Sequence, residues 1–134
     1  MLNIALVSGS GRRDSQSAKV ARYLQQRAIA LGYCSAEQSS LDLGANPLPL
    51  WPSADNGPWP IYQQQLGAAD ALIVIAPEGN GMACPAIKNF FIHASKTELA
   101  HKPGLLVGVS SGVGGASPIS ELRASSYKNC RLCY

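Results

Sequence analysis

The chain has 134 residues, 46% hydrophobic and 14% charged, with a formal net charge of +3. That is enough apolar material for the core of one domain, too little length for a second, and too little charge for a disordered chain. Its basic residues, Arg12, Arg13, Lys19, Arg22, Arg27 and Lys128 among them, are scattered rather than gathered with aromatics into a stripe, which argues against a nucleic-acid partner and leaves a small anionic ligand compatible.

No apolar run reaches the roughly 18–20 residues that cross a bilayer. The start, Met1-Leu2-Asn3-Ile4, lacks the basic region and cleavage site of a signal peptide. Four cysteines make no disulfide scaffold in a chain this long. The expectation is one domain over residues 1–134, in the cytoplasm and away from membranes.

In chain order, the first element is a strand at Ile4-Ala5-Leu6-Val7. A helix follows, capped by Ser15 or Ser17, with Ala21, Leu24, Ala28 and Leu31 on one face and Gly32 as its stop. A weaker, more polar second strand is expected near residues 35–43, at an edge. The stretches Leu48-Pro49-Leu50-Trp51-Pro52 and Asn56-Gly57-Pro58-Trp59-Pro60 read as an ordered loop, because their apolar residues need cover. A helix over about 61–69 leads into the most hydrophobic strand, Ala71-Leu72-Ile73-Val74-Ile75-Ala76. Another helix runs from Pro85, where proline suits a first turn, to about residue 95. Leu105-Leu106-Val107-Gly108-Val109 is a further strand, a helix begins near Ser117-Pro118 and reaches about Ser126, and residues 129–134 look like the start of one more strand. Continuous apolar runs alternating with helices predict a doubly wound α/β fold with a parallel sheet covered on both faces.

In such a sheet, ligands bind outside the carboxyl ends of the strands. Three segments with unusual composition fall there. Residues 8–17, Ser-Gly-Ser-Gly-Arg-Arg-Asp-Ser-Gln-Ser, combine glycines, hydroxyls, Arg12 and a helix start, which suits a terminal phosphate. The Gly-Lys-Ser/Thr ending of a nucleotide P-loop is absent, and Asp14 stands where a dinucleotide fingerprint has its third glycine. Residues 77–85, Pro-Glu-Gly-Asn-Gly-Met-Ala-Cys-Pro, offer exposed backbone N–H groups and a shape that a flat ring could lie against. Residues 110–115, Ser-Ser-Gly-Val-Gly-Gly, are again glycine-rich. Together they point to an extended planar ligand with a phosphate tail.

With these residues in this order, the chain resembles the NADPH-dependent FMN reductases, flavodoxin-like proteins that include azoreductases and chromate or quinone reductases. The likeness rests on Gly9-Ser10-Gly11-Arg12 with Ser15 and Ser17, on Ala69 through Val74 running into Pro77-Glu78-Gly79-Asn80-Gly81, on Pro85 through Lys88-Asn89, and on Lys102-Pro103 with the 110–115 loop. It implies a three-layer α/β/α fold of strand order 2-1-3-4-5, whose last strand and closing helix are missing here. It also implies FMN as cofactor and NADPH or NADH as electron donor. Ser10, Arg12, Ser15, Gln16 and Ser17 would hold the FMN phosphate; Pro77, Glu78, Gly79, Asn80 and Gly81 would lie along the isoalloxazine; Ser111, Gly112 and Gly115 would close its far side. The flavin N5 would carry the chemistry, with no catalytic side chain and no metal. Electrons would pass to a small acceptor: a quinone, an azo compound, a metal oxyanion or free flavin. A homodimer or homotetramer is implied as well. Gly79 stands where the family usually has a tyrosine.

Two other readings use the same residues: a non-enzymatic FMN-binding electron carrier, and a flavin-free fold relative acting as a binding protein. Outside the three segments, Cys130 and Cys133 read as buried strand cysteines; within the second, Cys84 opens a helix, where a thiol's pKa can fall, and reads first as a packing residue. His93 reads as a helix-surface or interface residue, Trp51 and Trp59 as a flavin wall or subunit contact, and Glu78 as a residue that orients its loop.

Overall fold

The computed structural model describes residues 2–34 and 40–134. The three apolar runs become the long strands β1 (Ile4–Ser8), β3 (Ala71–Gly79) and β5 (Gly104–Val109). Between and after them lie α1 (Gln16–Ala30), β2 (Leu41–Asp42), α2 (Trp59–Ala68), β4 (Met82–Ala83), α3 (Pro85–His93), α4 (Lys96–Leu99) and α5 (Ala116–Cys130). β1 pairs in parallel with β3 from Ile4↔Ala71 to Ser8↔Ile75, and β3 with β5 from Leu72↔Gly104 to Pro77↔Val109. β2 joins the other side of β1 through Val7↔Leu41 and Ser8↔Asp42. The parallel order is therefore β2-β1-β3-β5, the flavodoxin-like arrangement with its reversal beside β1. Residues just past α5 extend it, because Pro103 and Cys133 form a parallel bridge beside β5.

Alternation along the strands sorts the core into two layers. Ala5, Val7, Leu72, Val74 and Ala76 face one way, against Tyr62 and Leu66 of α2, Ile87 and Phe90 of α3, Leu99 of α4 and Leu122 of α5. Leu6 faces the other way, with Ile4 and Ile73, against Leu24, Ala28 and Ile29 of α1. Phe90 stacks edge-on against Phe91, at 5.1 Å between ring centroids, and both are buried.

Local chemistry explains where elements start and stop. The Ser15 hydroxyl caps α1, accepting from Ala18 N at 3.0 Å. At the other end Gly32, at φ 81, lets Tyr33 N reach Ala28 O and Gly32 N reach Ile29 O, a Schellman closure. Leu31, expected on the buried face, is the C-cap residue of that closure and stands exposed. Of the second strand expected over 35–43, residues 41–42 are strand, and 35–39 lie outside the described residues.

α2 begins at Trp59 rather than near 61, since Pro58 and Pro60 suit its first turn. α3 ends at His93, and a capping box at Ser95 and Glu98 opens the separate short α4. The Ser-x-x-Glu spacing was present in the sequence as its signature. α5 continues four residues past Ser126 to Cys130, which is thus a buried helical residue rather than a strand cysteine, while Cys133 is exposed. No helix among the described residues is long and apolar enough to cross a membrane.

Candidate functional site

Because β1, β3 and β5 run parallel, the segments that follow them emerge at one edge of the sheet, as the order reversal beside β1 requires of a ligand crevice. All three sequence-predicted segments are brought there.

In the first, Gly9 N donates to Ile75 O at 2.8 Å and locks the start of the loop onto β3. Ser10 and Ser15 are both buried, and their hydroxyl oxygens already accept from the loop itself, Ser10 from Arg12 N at 3.2 Å and Ser15 from Ala18 N. Their O–H groups are still donors to spend on a ligand. Ser17 is buried on the first turn of α1, whereas Arg12 and Gln16 are exposed. The first turn of α1 holds no acidic side chain, so the partial positive charge of the helix start is uncompensated from within the helix. Asp14, just ahead of the cap, is exposed and left-handed at φ 50.

The shape of this loop depends on a residue far away in sequence. After β2, Asp42 Oδ1 accepts from Gly44 N at 2.9 Å and folds a tight turn against the loop. A Cβ on Gly44 would stand 2.1 Å from Arg12 O, so glycine is required for that approach. The Tyr62 hydroxyl secures the same turn, donating to Asn46 O at 2.7 Å. Burial pushes that phenol well above its ordinary pKa, so it stays a donor.

The second segment is not a loop. β3 runs on through Pro77, Glu78 and Gly79, and Asn80-Gly81 reverses the chain into β4 with Glu78↔Ala83 and Gly79↔Met82 paired. Asn80 and Gly81 have φ 48 and 75, the two positive values of a type I′ turn. Asn-Gly between apolar runs is the sequence signal for this hairpin, and it could have been read. Glu121 of α5 secures the hairpin from behind: its Oε1 accepts from Ala83 N at 3.3 Å and its Oε2 pairs with Lys88 Nζ at 2.7 Å. Gly79 is half-buried, and a Cβ there would meet only Cys84 Sγ, at 3.3 Å. Cys84 caps α3, but its thiol is raised, not lowered: burial outweighs the nearby positive charge of Arg12.

In the third segment Ser111, Gly112, Val113 and Gly114 are exposed, while Gly115 is buried at φ 69 as the residue before α5. Ser110 ties this segment to the hairpin, its hydroxyl donating to Glu78 Oε2 at 2.7 Å. Among the described residues no group of three or more His, Cys, Asp and Glu side chains could hold a metal ion.

The Pro-rich loop lies elsewhere, clasped to α3. Asn89 Nδ2 donates to Pro49 O, Trp51 N donates to Asn89 Oδ1, and His93 Nε2 lies 2.8 Å from Pro49 O. His93 is therefore a clasp rather than a plain surface residue. Trp59 is buried against Tyr62, Phe90 and His93 and so cannot wall a flavin or reach a partner. Trp51 is exposed, beside a groove of about 700 Å³ between α3 and α5 that Phe91, Ile92 and Leu122 also line.

The sequence pattern of NADPH-dependent FMN reductases matches residues 2–131. A 2-hydroxy-1,4-benzoquinone reductase from Burkholderia sp. is 32% identical over 131 residues, covering 91% of this chain and 68% of that protein. The fold superposes on a flavoenzyme NAD(P)H:(acceptor) oxidoreductase from Paracoccus denitrificans with a TM-score of 0.72, at 25% identity over 96% of this chain and 72% of that one. It also superposes on the apo form of an NADH:FMN oxidoreductase with a TM-score of 0.69, at 21% identity over 93% of this chain and 65% of that one. The chain thus spans less than two thirds of the length of that last structure.

Proposed function

Because the chain belongs to the NADPH-dependent FMN reductase family, we propose that it is an FMN-dependent NAD(P)H oxidoreductase that passes electrons to a small acceptor of the quinone class. The observation that carries this reading is the convergence of three differently built segments at one sheet edge: a hydroxyl- and arginine-bearing helix start, a I′ hairpin and a glycine-rich strap. The quinone class is supported by the Burkholderia relative, a quinone reductase.

The donor set fits FMN. Ser10, Ser15 and Ser17 supply hydroxyls, Gln16 an amide, Arg12 a fixed charge, and the α1 start a favourable dipole for the phosphate. Pro77, Glu78, Gly79, Asn80 and Gly81 would lie along the ring through backbone groups, and Ser111, Gly112 and Gly115, in the segment after β5, would close its far side. When bound, FMN supplies the redox chemistry, taking two electrons from NAD(P)H and delivering them to the acceptor. The protein binds and orients it, and no side chain need act as acid or base.

The same proposal includes a cytoplasmic homodimer or homotetramer. Trp51 and Ile92, exposed on the groove between α3 and α5, with exposed Leu50 next to Trp51 in sequence, leave apolar surface of the kind monomers seldom leave open.

Titration with FMN, followed by flavin fluorescence, tests the reading. Saturable quenching is expected for the wild type, and for Arg12→Ala an affinity lower by about tenfold or more, the scale of one charged hydrogen bond. Quinone-dependent oxidation of NAD(P)H by the loaded protein is the second step. A folded wild type that binds no FMN at micromolar concentration would sink the proposal.

A further inference from the structure

β3 and β5 keep parallel register up to Pro77↔Val109. One residue further, the ladder is continued by side chains: Ser110 Oγ donates to Glu78 Oε2 at 2.7 Å. The same hydroxyl oxygen accepts from Gly112 N at 3.0 Å. A relay therefore runs from the Gly112 N–H through Ser110 to Glu78, across the gap between the glycine-rich strap and the hairpin. It is built asymmetrically. Glu78 lies on β3, paired with Ala83 of β4 one residue past the last β3–β5 pair, whereas residues 111–114 are exposed. The strand-held carboxylate is the fixed end and the strap the end that is steered. A hydroxyl bonded to a carboxylate is also a better-oriented acceptor for the next N–H than a free one.

We propose that Glu78 is a positioning residue: through Ser110 it sets the Gly112 N–H and the 110–115 strap at a preset distance from the β3–β4 hairpin, so that the slot for the flavin ring is formed before the ligand arrives. The inference rests on the FMN reading above and deepens it, since it assigns the ring slot, rather than the phosphate loop, to one carboxylate. Preorganisation of this kind raises affinity by removing the ordering cost from the binding step.

Two measurements test it together. The first needs no ligand: amide hydrogen exchange of residues 110–115 in the flavin-free protein, with the urea midpoint measured alongside. Glu78→Ala and Ser110→Ala should each speed exchange in that segment while the rest of the protein keeps its protection. Glu78→Gln, whose Oε1 can still accept from Ser110, should largely restore it.

The second compares FMN with riboflavin, which has the ring and no phosphate. Glu78→Ala should weaken both by a similar factor, about tenfold, and the double variant with Ser110→Ala should be no worse than either single one. Arg12→Ala should weaken FMN alone. Unchanged exchange in both alanine variants, or unchanged affinity for both flavins in a wild type that binds them, overturns the inference and leaves the proposed function standing. A wild type that binds neither flavin defeats the function itself, and the inference with it.

Discussion

Glu98 shows how much one buried carboxylate can hold. It accepts from Ser95 N at 2.8 Å and Ser95 Oγ at 2.7 Å through one oxygen, and from Gln63 Nε2 at 2.8 Å through the other. Burial pushes its pKa up, but those hydrogen bonds outweigh burial and hold it below the ordinary 4.5. A depressed folded pKa means stability that is fully present above 4.5 and lost as pH falls through the lower folded value. Glu98→Gln should lower stability at neutral pH by about 1–3 kcal/mol, because an amide replaces one of the two charged oxygens that accept from Ser95 and Gln63. It should also flatten the acid limb of stability against pH, which urea midpoints across the acid range will measure. At the proposed ring ledge, no positive φ forbids a side chain at residue 79, and its Cβ, 3.3 Å from Cys84 Sγ, needs that thiol to give by a few tenths of an ångström. Gly79→Tyr should tighten FMN by about 1–3 kcal/mol, the scale of aromatic–base stacking, and a fluorescence titration will read it.

Between elements, the β2 turn and the first loop act as one piece, because Gly44 lies against the Arg12 backbone. Gly44→Ala must push the turn away and carry the loop with it. FMN affinity should fall as it does for Arg12→Ala, although residue 44 contributes no side chain to the site. Gly67, inside α2, is the control: a Cβ there meets nothing within 4 Å. Gly67→Ala should leave FMN binding unchanged and raise stability by about 0.5–1 kcal/mol, the helix-propensity difference, in a urea melt. If both alanines weaken FMN alike, the coupling through Gly44 is wrong.

For the whole molecule, the two faces of the sheet are unequally covered. One carries α2, α3, α4 and α5, the other α1, and Leu105 is 54% exposed on β5. The better-covered face has its own opening, the groove beneath Trp51. If that patch is the subunit contact, sedimentation equilibrium should show a dimer or tetramer, and Trp51→Ser should shift the population toward monomer. Asn89 and His93 hold the Trp51 loop through its backbone, so that variant keeps the loop in place. A wild type that sediments as a monomer at every concentration overturns the homo-oligomer.

Continuous apolar runs, the Ser15 cap, Gly32 and the proline positions are local signals, and by themselves they determined the α/β class, the long strands and the boundaries of α1. The meeting of the three segments at one sheet edge was legible too, because in a β–α alternating fold whatever follows each parallel strand emerges there. Other features were written in the sequence and left unread: Asn80-Gly81 as a I′ hairpin and Ser95-x-x-Glu98 as a capping box. What only the tertiary structure decided depends on residues that meet at long separation. Gly44 against Arg12, Ser110 on Glu78, Glu121 on Ala83 and the clasp on Pro49 are pairs that no periodicity encodes. The same is true of Cys84. Its place at a helix start favours a lowered pKa, yet its partial burial raises the thiol, because desolvation depends on what folds around a group and not on its neighbours in sequence.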